Sequence, residues 1–412
     1  MRRIRTRSGR LAGVLAGLVV AAAALVAVAT PAQAASLTQV ASFGSNPGNL
    51  AMYAYRPDNL PSGAPAVVLL HGCAQDAAGY FANSGWRKYA DQWRFAVIVP
   101  EQRSANNSSA CFNWFETGDT SRGQGEALSI KQMVDHARSA YGTAANRVYV
   151  SGLSGGGAMS ATMLATYPDV FAGGAVIAGI PYRCATGMVN AFSCMSPGVD
   201  KTPAQWGDLV RAAYPGYTGA RPRVAIWHGT ADYTVTQANA VESRDQWTNV
   251  LGVSQTPTST SALPGGTSLE VYGNDAVRLY RVSGMGHGTP VNPGSGVDQC
   301  GIAAAYFLNT ICSAYRDALF FGLDGGGTPS PTPSQTVSPS PTASPRPTAT
   351  PSPTGAPVCV TASNYAHVIA GRAYHSGGYA YANGSNQRMG LYNTFYTTAL
   401  RQVAANHWTI GC

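Results

Sequence analysis

Gly152-Leu153-Ser154-Gly155-Gly156 places a hydroxyl among glycines, directly after the β-rich run Val148-Tyr149-Val150 and before a helical stretch from Ala158 to Tyr167. A serine hydroxyl is a weak nucleophile, so it needs exposure, a neighbouring base and a positive end nearby. A sharp strand-to-helix turn supplies the exposure and the helix dipole supplies the field, which is the context of a Gly-x-Ser-x-Gly nucleophile elbow. In hydrolases built this way the acid and then the base follow later in the chain. His228-Gly229-Thr230-Ala231-Asp232 follows the run Val224 to Trp227, and Gly284-Met285-Gly286-His287-Gly288 follows Val277 to Val282. Asp232 is expected to fix the tautomer of His287 and stabilise its imidazolium, while His287 takes the proton of Ser154. His136 lies within a helical stretch and reads as structural. His228 precedes the acid too closely to oppose Ser154 independently and reads as a loop-shaping residue. Asp200, Asp208, Asp245, Asp275 and Asp298 rank below Asp232, because none follows a strand so directly.

Ester cleavage by a serine also needs donors aimed at the tetrahedral oxyanion. Gly155, which follows the nucleophile, offers one backbone N–H. Cys73, in His71-Gly72-Cys73 just past the run Ala66 to Leu70, offers the second. Trp114 is a candidate for lining the substrate subsite, with a core role as its alternative. The chemistry calls for no metal and no organic cofactor.

These loops must sit at the ends of strands. Ala66 to Leu70, Phe95 to Val99, Val148 to Val150, Ala175 to Ala178, Val224 to Trp227 and Val277 to Val282 have few alternating polar residues and are separated by helical stretches. That pattern predicts an α/β fold with a parallel sheet covered on both faces. The spacing of Ile130, Met133, Val134 and Ala137 predicts a helix from Glu126 to Tyr141, which Gly142 stops.

Four segments are expected along the chain: a signal peptide over 1–34, a catalytic domain over 35–324, a linker over 325–357 and a binding domain over 358–412. The first holds five arginines up to Arg10, an uncharged apolar run from Leu11 to Ala29, and Ala32-Gln33-Ala34 before the expected cleavage. Losing those arginines takes the formal charge from +8 to +3, so nucleic acid is not an implied partner. No stable membrane association is expected after cleavage, and a monomer is expected. The linker is Gly, Pro, Ser and Thr with almost nothing apolar, a composition that favours an extended spacer reaching up to about 90 Å.

Eight cysteines without Cys-x-x-Cys spacing suit an oxidising compartment and disulfides. Spacing alone does not fix their connectivity. Cys359 and Cys412 are the only pair beyond the linker and are expected to bond, closing a loop that stabilises the tail by about 4 kcal/mol. For the others the expected pairs are Cys73 with Cys111, Cys184 with Cys194, and Cys300 with Cys312.

Taken together, Leu70-His71-Gly72-Cys73, Cys111-Phe112-Asn113-Trp114, the segment Gly152 to Met159, Trp227 to Asp232 and Gly284 to His287 resemble the extracellular short-chain-length polyhydroxyalkanoate depolymerases. The oxyanion segment precedes the nucleophile, which resembles their type 1 catalytic domain. The resemblance implies an α/β-hydrolase fold, secretion, and hydrolysis of backbone esters of poly(3-hydroxybutyrate) through an acyl-enzyme on Ser154. The same superfamily includes feruloyl and acetylxylan esterases, so a plant cell-wall esterase with a carbohydrate-binding tail is the alternative. A polymer-surface binding protein with an inactive hydrolase domain is the alternative of another class.

Asn364 to His367, Gly371 to Tyr374 and Gly378 to Gly384 resemble the substrate-binding domain of those depolymerases. Short Tyr- and Asn-rich runs punctuated by glycine suggest a small β-rich module, stapled because so few residues make a thin core. Its tyrosines and Trp408 are expected to divide between that core and a platform lying flat on a solid polyester, the expected partner.

Overall fold

A computed structural model of the chain describes residues 35–325, 359–376, 379–391, 396–404 and 406–412. The expected signal peptide and all but the first residue of the expected linker lie outside the described residues. The central sheet is built from β1 (Thr38–Val40), β2 (Ala51–Tyr55), β3 (Ala66–Leu70), β4 (Ala96–Glu101), β5 (Val148–Leu153), β6 (Gly173–Ile177), β7 (Arg223–Gly229), β8 (Ser259–Leu263), β9 (Thr267–Tyr272) and β10 (Val277–Val282). Their order across the sheet is β1-β2-β4-β3-β5-β6-β7-β10-β9-β8.

From β4 to β10 every neighbouring pair is parallel, with Val68 opposite Val150, Val150 opposite Gly174 and Val224 opposite Val277. Each of the six runs expected from the sequence falls in this parallel block. All of β3, β5 and β6 is buried, which explains why they lack polar alternation. Beyond this parallel block the sheet continues at both edges with strands the sequence reading did not name, where β1 and β2 on one side and β9 and β8 on the other run antiparallel. β1 and β8 are largely exposed and polar, so they carry no hydrophobic signal.

Helices link the parallel strands: α1 (Ala77–Asn83), α2 (Trp86–Trp93), α3 (Gly125–Tyr141), α4 (Gly155–Thr166), α5 (Met188–Met195), α6 (Pro203–Ala212) and α7 (Ala238–Leu251). α3 buries Ile130, Met133, Val134 and Ala137, and Gly142 ends it in the left-handed conformation, donating to the Ala137 carbonyl. α4 is buried along its whole length, as befits a helix packed against the sheet beneath a site. The main core gathers Val68, Val150, Met159, Leu164, Val176, Ile226, Trp247 and Leu279. All four expected disulfides are present.

The last region, described by itself, holds two three-stranded sheets. One joins β11 (Cys359–Ser363), β15 (Thr397–Ala404) and β16 (His407–Ile410); the other joins β12 (Ala373–Ser376), β13 (Tyr379–Ala382) and β14 (Arg388–Leu391). Its apolar core joins three alanines, Ala373, Ala380 and Ala382, to Met389, Leu400 and Trp408, with Asn364 and His367 buried as well. Trp408 is therefore a core residue and no part of an exposed platform, whereas Tyr374 and Tyr396 stay substantially exposed.

Candidate active site

Ser154 ends β5 and opens α4 with φ 57° and ψ −117°. For a residue with a Cβ this conformation costs about 1–3 kcal/mol and persists only where the surroundings impose it. Here they do. The Ser154 amide donates to the Ile177 carbonyl at 2.9 Å, and buried glycines let α4 press onto the strand ends. A Cβ on Gly156 would fall onto the carbonyl oxygens of Leu70 and His71, so only glycine fits beside β3. Gly156→Ala is accordingly expected to destabilise the fold by about 3 kcal/mol. A thermal midpoint equal to that of the wild type would show that this close approach does not constrain the elbow.

The same sheet edge carries the other two side chains. Backbone bonds stitch the loops together in sequence: the Ala178 amide to the Trp227 carbonyl at 2.8 Å, Thr230 to Val282 at 2.9 Å and Ala231 to Met285 at 3.0 Å. A Cβ on Gly229 would fall onto the Met285 carbonyl, which explains a glycine where β7 and the loop after β10 meet. The result is His287 Nδ1 2.8 Å from Asp232 Oδ2. Asp232 Oδ1 accepts the amides of Thr234 at 3.0 Å and Val235 at 2.9 Å, so a carboxylate with a fully buried side chain is held by three donors. With Nδ1–H committed to Asp232, His287 Nε2 is the nitrogen free to accept a proton.

His228 braces this acid. Its Nε2 lies 2.8 Å from the Val235 carbonyl, to which it donates, and 3.6 Å from Asp232 Oδ2. Burial pushes its pKa below the ordinary histidine value, so the ring is neutral. Through these contacts His228 ties the end of β7 to the loop that carries Asp232.

Gly155, which follows Ser154, stands close to Cys73: a Cβ on Gly155 would meet Cys73 Sγ at 3.1 Å and Trp114 Cδ1 at 3.6 Å. Among the described residues, neither the Cys73 nor the Gly155 amide donates a hydrogen bond to another protein group. Two unspent amide donors next to the Ser154 turn have the chemistry to receive an oxyanion. The disulfide from Cys73 to Cys111 packs against this point and fixes the loop. Trp114 is buried in a small cluster with Phe115, Ala158 and Val235, and its ring reaches Gly155 from within that cluster.

Sequence reasoning missed a polar brace behind the donor loop. The Gln102 amide donates to His71 Nε2 at 3.1 Å, which leaves His71 Nδ1 to donate to the Gly72 carbonyl at 2.8 Å. The Gln102 side-chain NH2 donates to the Cys111 carbonyl at 3.0 Å and to the carboxyl group of Glu126. Glu126 also accepts the Asn113 amide at 2.9 Å. Burial pushes the Glu126 carboxyl up to about 8. The available signal was a carboxylate on the same helical stripe as Ile130, Met133 and Ala137, where α3 should carry only apolar groups.

Residues 49–271 match the family model described as esterase PHB depolymerase. The chain belongs to that family. It is 53% identical over 309 residues to poly(3-hydroxyalkanoate) depolymerase C of Paucimonas lemoignei, covering 74% of each chain. It is 41% identical to an acetylxylan esterase of Coprinopsis cinerea, over 62% of this chain and 70% of that one. Among solved structures, an acetyl xylan esterase from Aspergillus awamori superposes with a TM-score of 0.61 at 30% identity, covering 70% of this chain and 99% of that one. The family member described here is thus an ester hydrolase with the α/β-hydrolase fold. No helix among the described residues is long and apolar enough to cross a membrane.

Proposed function

We propose that the chain hydrolyses backbone esters of poly(3-hydroxybutyrate)-type short-chain polyhydroxyalkanoates through an acyl-enzyme on Ser154. The supporting observation for the chemistry is the Asp232 to His287 pair at 2.8 Å, on the sheet edge where Ser154 is held in its strained turn. Ser154 Oγ attacks the ester carbonyl while His287 Nε2 takes its proton, and Asp232 stabilises the imidazolium. The oxyanion forms against the amides of Cys73 and Gly155. Collapse expels the alcohol end of the polymer with the proton from His287. Water, activated by the same ring, then releases the 3-hydroxy acid and restores the serine.

The substrate class rests on the relative at 53% identity, against 41% for the acetylxylan esterase. Export in an oxidising compartment accords with four disulfides and with the arginine-rich, apolar start of the chain. The region from Cys359 onward would adsorb to the solid and raise the local concentration of catalytic sites. Its exposed tyrosines are suited to a weakly polar surface. The purified chain is expected to clear a polyhydroxybutyrate suspension and to release neither acetate nor ferulate from xylan at a comparable rate. Ready xylan deacetylation without clearing would replace the polyester with a plant cell-wall ester.

A further inference from the structure

α5 and the turns flanking it form a sixteen-residue stretch from Cys184 to Val199 without a single charged or histidine side chain. The helix is clamped by the disulfide from Cys184 to Cys194. Its inner side buries Ala191 and Cys194 in the cluster that holds Trp114, Ala158 and Val235. Its outer side leaves Val189 83% and Phe192 66% exposed, with Met188 beside them.

Large apolar side chains so fully in water are ordinary when scattered and informative when grouped around a site. These are grouped. The loop after Asp232 is tied to the end of α5, since the Thr236 amide donates to the Met195 carbonyl at 2.9 Å and Asn239 donates to it at 3.2 Å. Tyr233, next to the acid, is 86% exposed. Tyr306 stands beside His287, its ring 6.2 Å from the imidazole and edge-on to it. Its backbone is held at φ 64°, a strained setting for an aromatic residue, and the side chain remains half exposed.

We propose that Met188, Val189, Phe192, Tyr233 and Tyr306 form a docking rim with which the catalytic domain itself lies on the solid polyester. The inference rests on the polyester reading and adds a surface to it. The occupant is the material whose chain the site cleaves, so the rim is continuous with the active site. An uncharged apolar rim suits an uncharged polymer of methyl-bearing ester units. A hydrated polysaccharide offers little apolar area in return for covering Val189 and Phe192. By lying flat, the rim brings a chain end or loop at the solid surface to Ser154, a step that soluble esters do not need.

The test uses the full chain with both Val189→Ser and Phe192→Ser. Initial hydrolysis of a polyhydroxybutyrate film is expected to fall at least about fivefold, because two of the most exposed apolar contacts are removed. The kcat/KM on p-nitrophenyl butyrate is expected to stay within about twofold, because neither side chain belongs to the core. A second variant, Val189→Leu with Phe192→Leu, keeps the apolar character and is expected to keep the film rate. Equal film rates for the serine variant and the wild type would overturn the rim. Parallel losses on film and soluble ester would overturn it too, by placing the damage in the site. A wild type unable to attack the film would overturn the rim and the polyester reading together.

Discussion

Ser154→Ala is expected to lower kcat on every ester, soluble or solid, by about 10^6-fold, the scale on which removing a triad serine acts. The backbone at this position argues that the loss is chemical. Alanine meets the same φ of 57° at much the same cost as serine, and the amide at 154 keeps its bond to the Ile177 carbonyl. Stability is therefore expected to change by less than about 0.5 kcal/mol, visible as an unchanged thermal midpoint. The wild type should take up a fluorophosphonate stoichiometrically and the variant should take up none. Turnover within about 100-fold of the wild type would mean that another residue is the nucleophile. An intact protein that fails to label would favour a surface-binding protein on an inactive hydrolase scaffold.

How much of this was legible beforehand depends on how far each feature is local. The elbow was visible because strand, glycines, serine and helix are contiguous from Val148 to Thr166. The pairing of Asp232 with His287 could be anticipated because each follows a strand end in an α/β sheet, and β7 and β10 prove to be adjacent and parallel. Edge strands were not visible: Thr38–Val40 and Ser259–Leu263 bury almost nothing, so only their pairing defines them. The link from His71 through Gln102 to Glu126 spans 55 residues of sequence and shows itself only as one misplaced carboxylate. Trp408 shows the opposite limit. An aromatic residue in a small module can serve its core or its surface, and the scarcity of other large side chains in that core decides the matter.

The second large effect belongs to Asp232→Asn, expected to reduce kcat by about 10^4-fold with little change in the thermal midpoint. The reason lies in which oxygen is already taken. Oδ1 receives two backbone donors, from Thr234 and Val235, and those amides will hold the single carbonyl oxygen of an asparagine at that place. The new NH2 group must then sit where Oδ2 was, 2.8 Å from His287 Nδ1. It can only donate, so it selects the tautomer with the proton on Nε2, and that nitrogen can no longer accept the proton of Ser154. His228 cannot rescue the base, because its Nε2–H is committed to the Val235 carbonyl and its ring is buried. Slow fluorophosphonate labelling of Ser154 in this variant, alongside a preserved fold, is the result to look for. Labelling at the wild-type rate would show that Asp232 neither orients His287 nor supports its charge, and the acid would have to be sought elsewhere on the sheet edge.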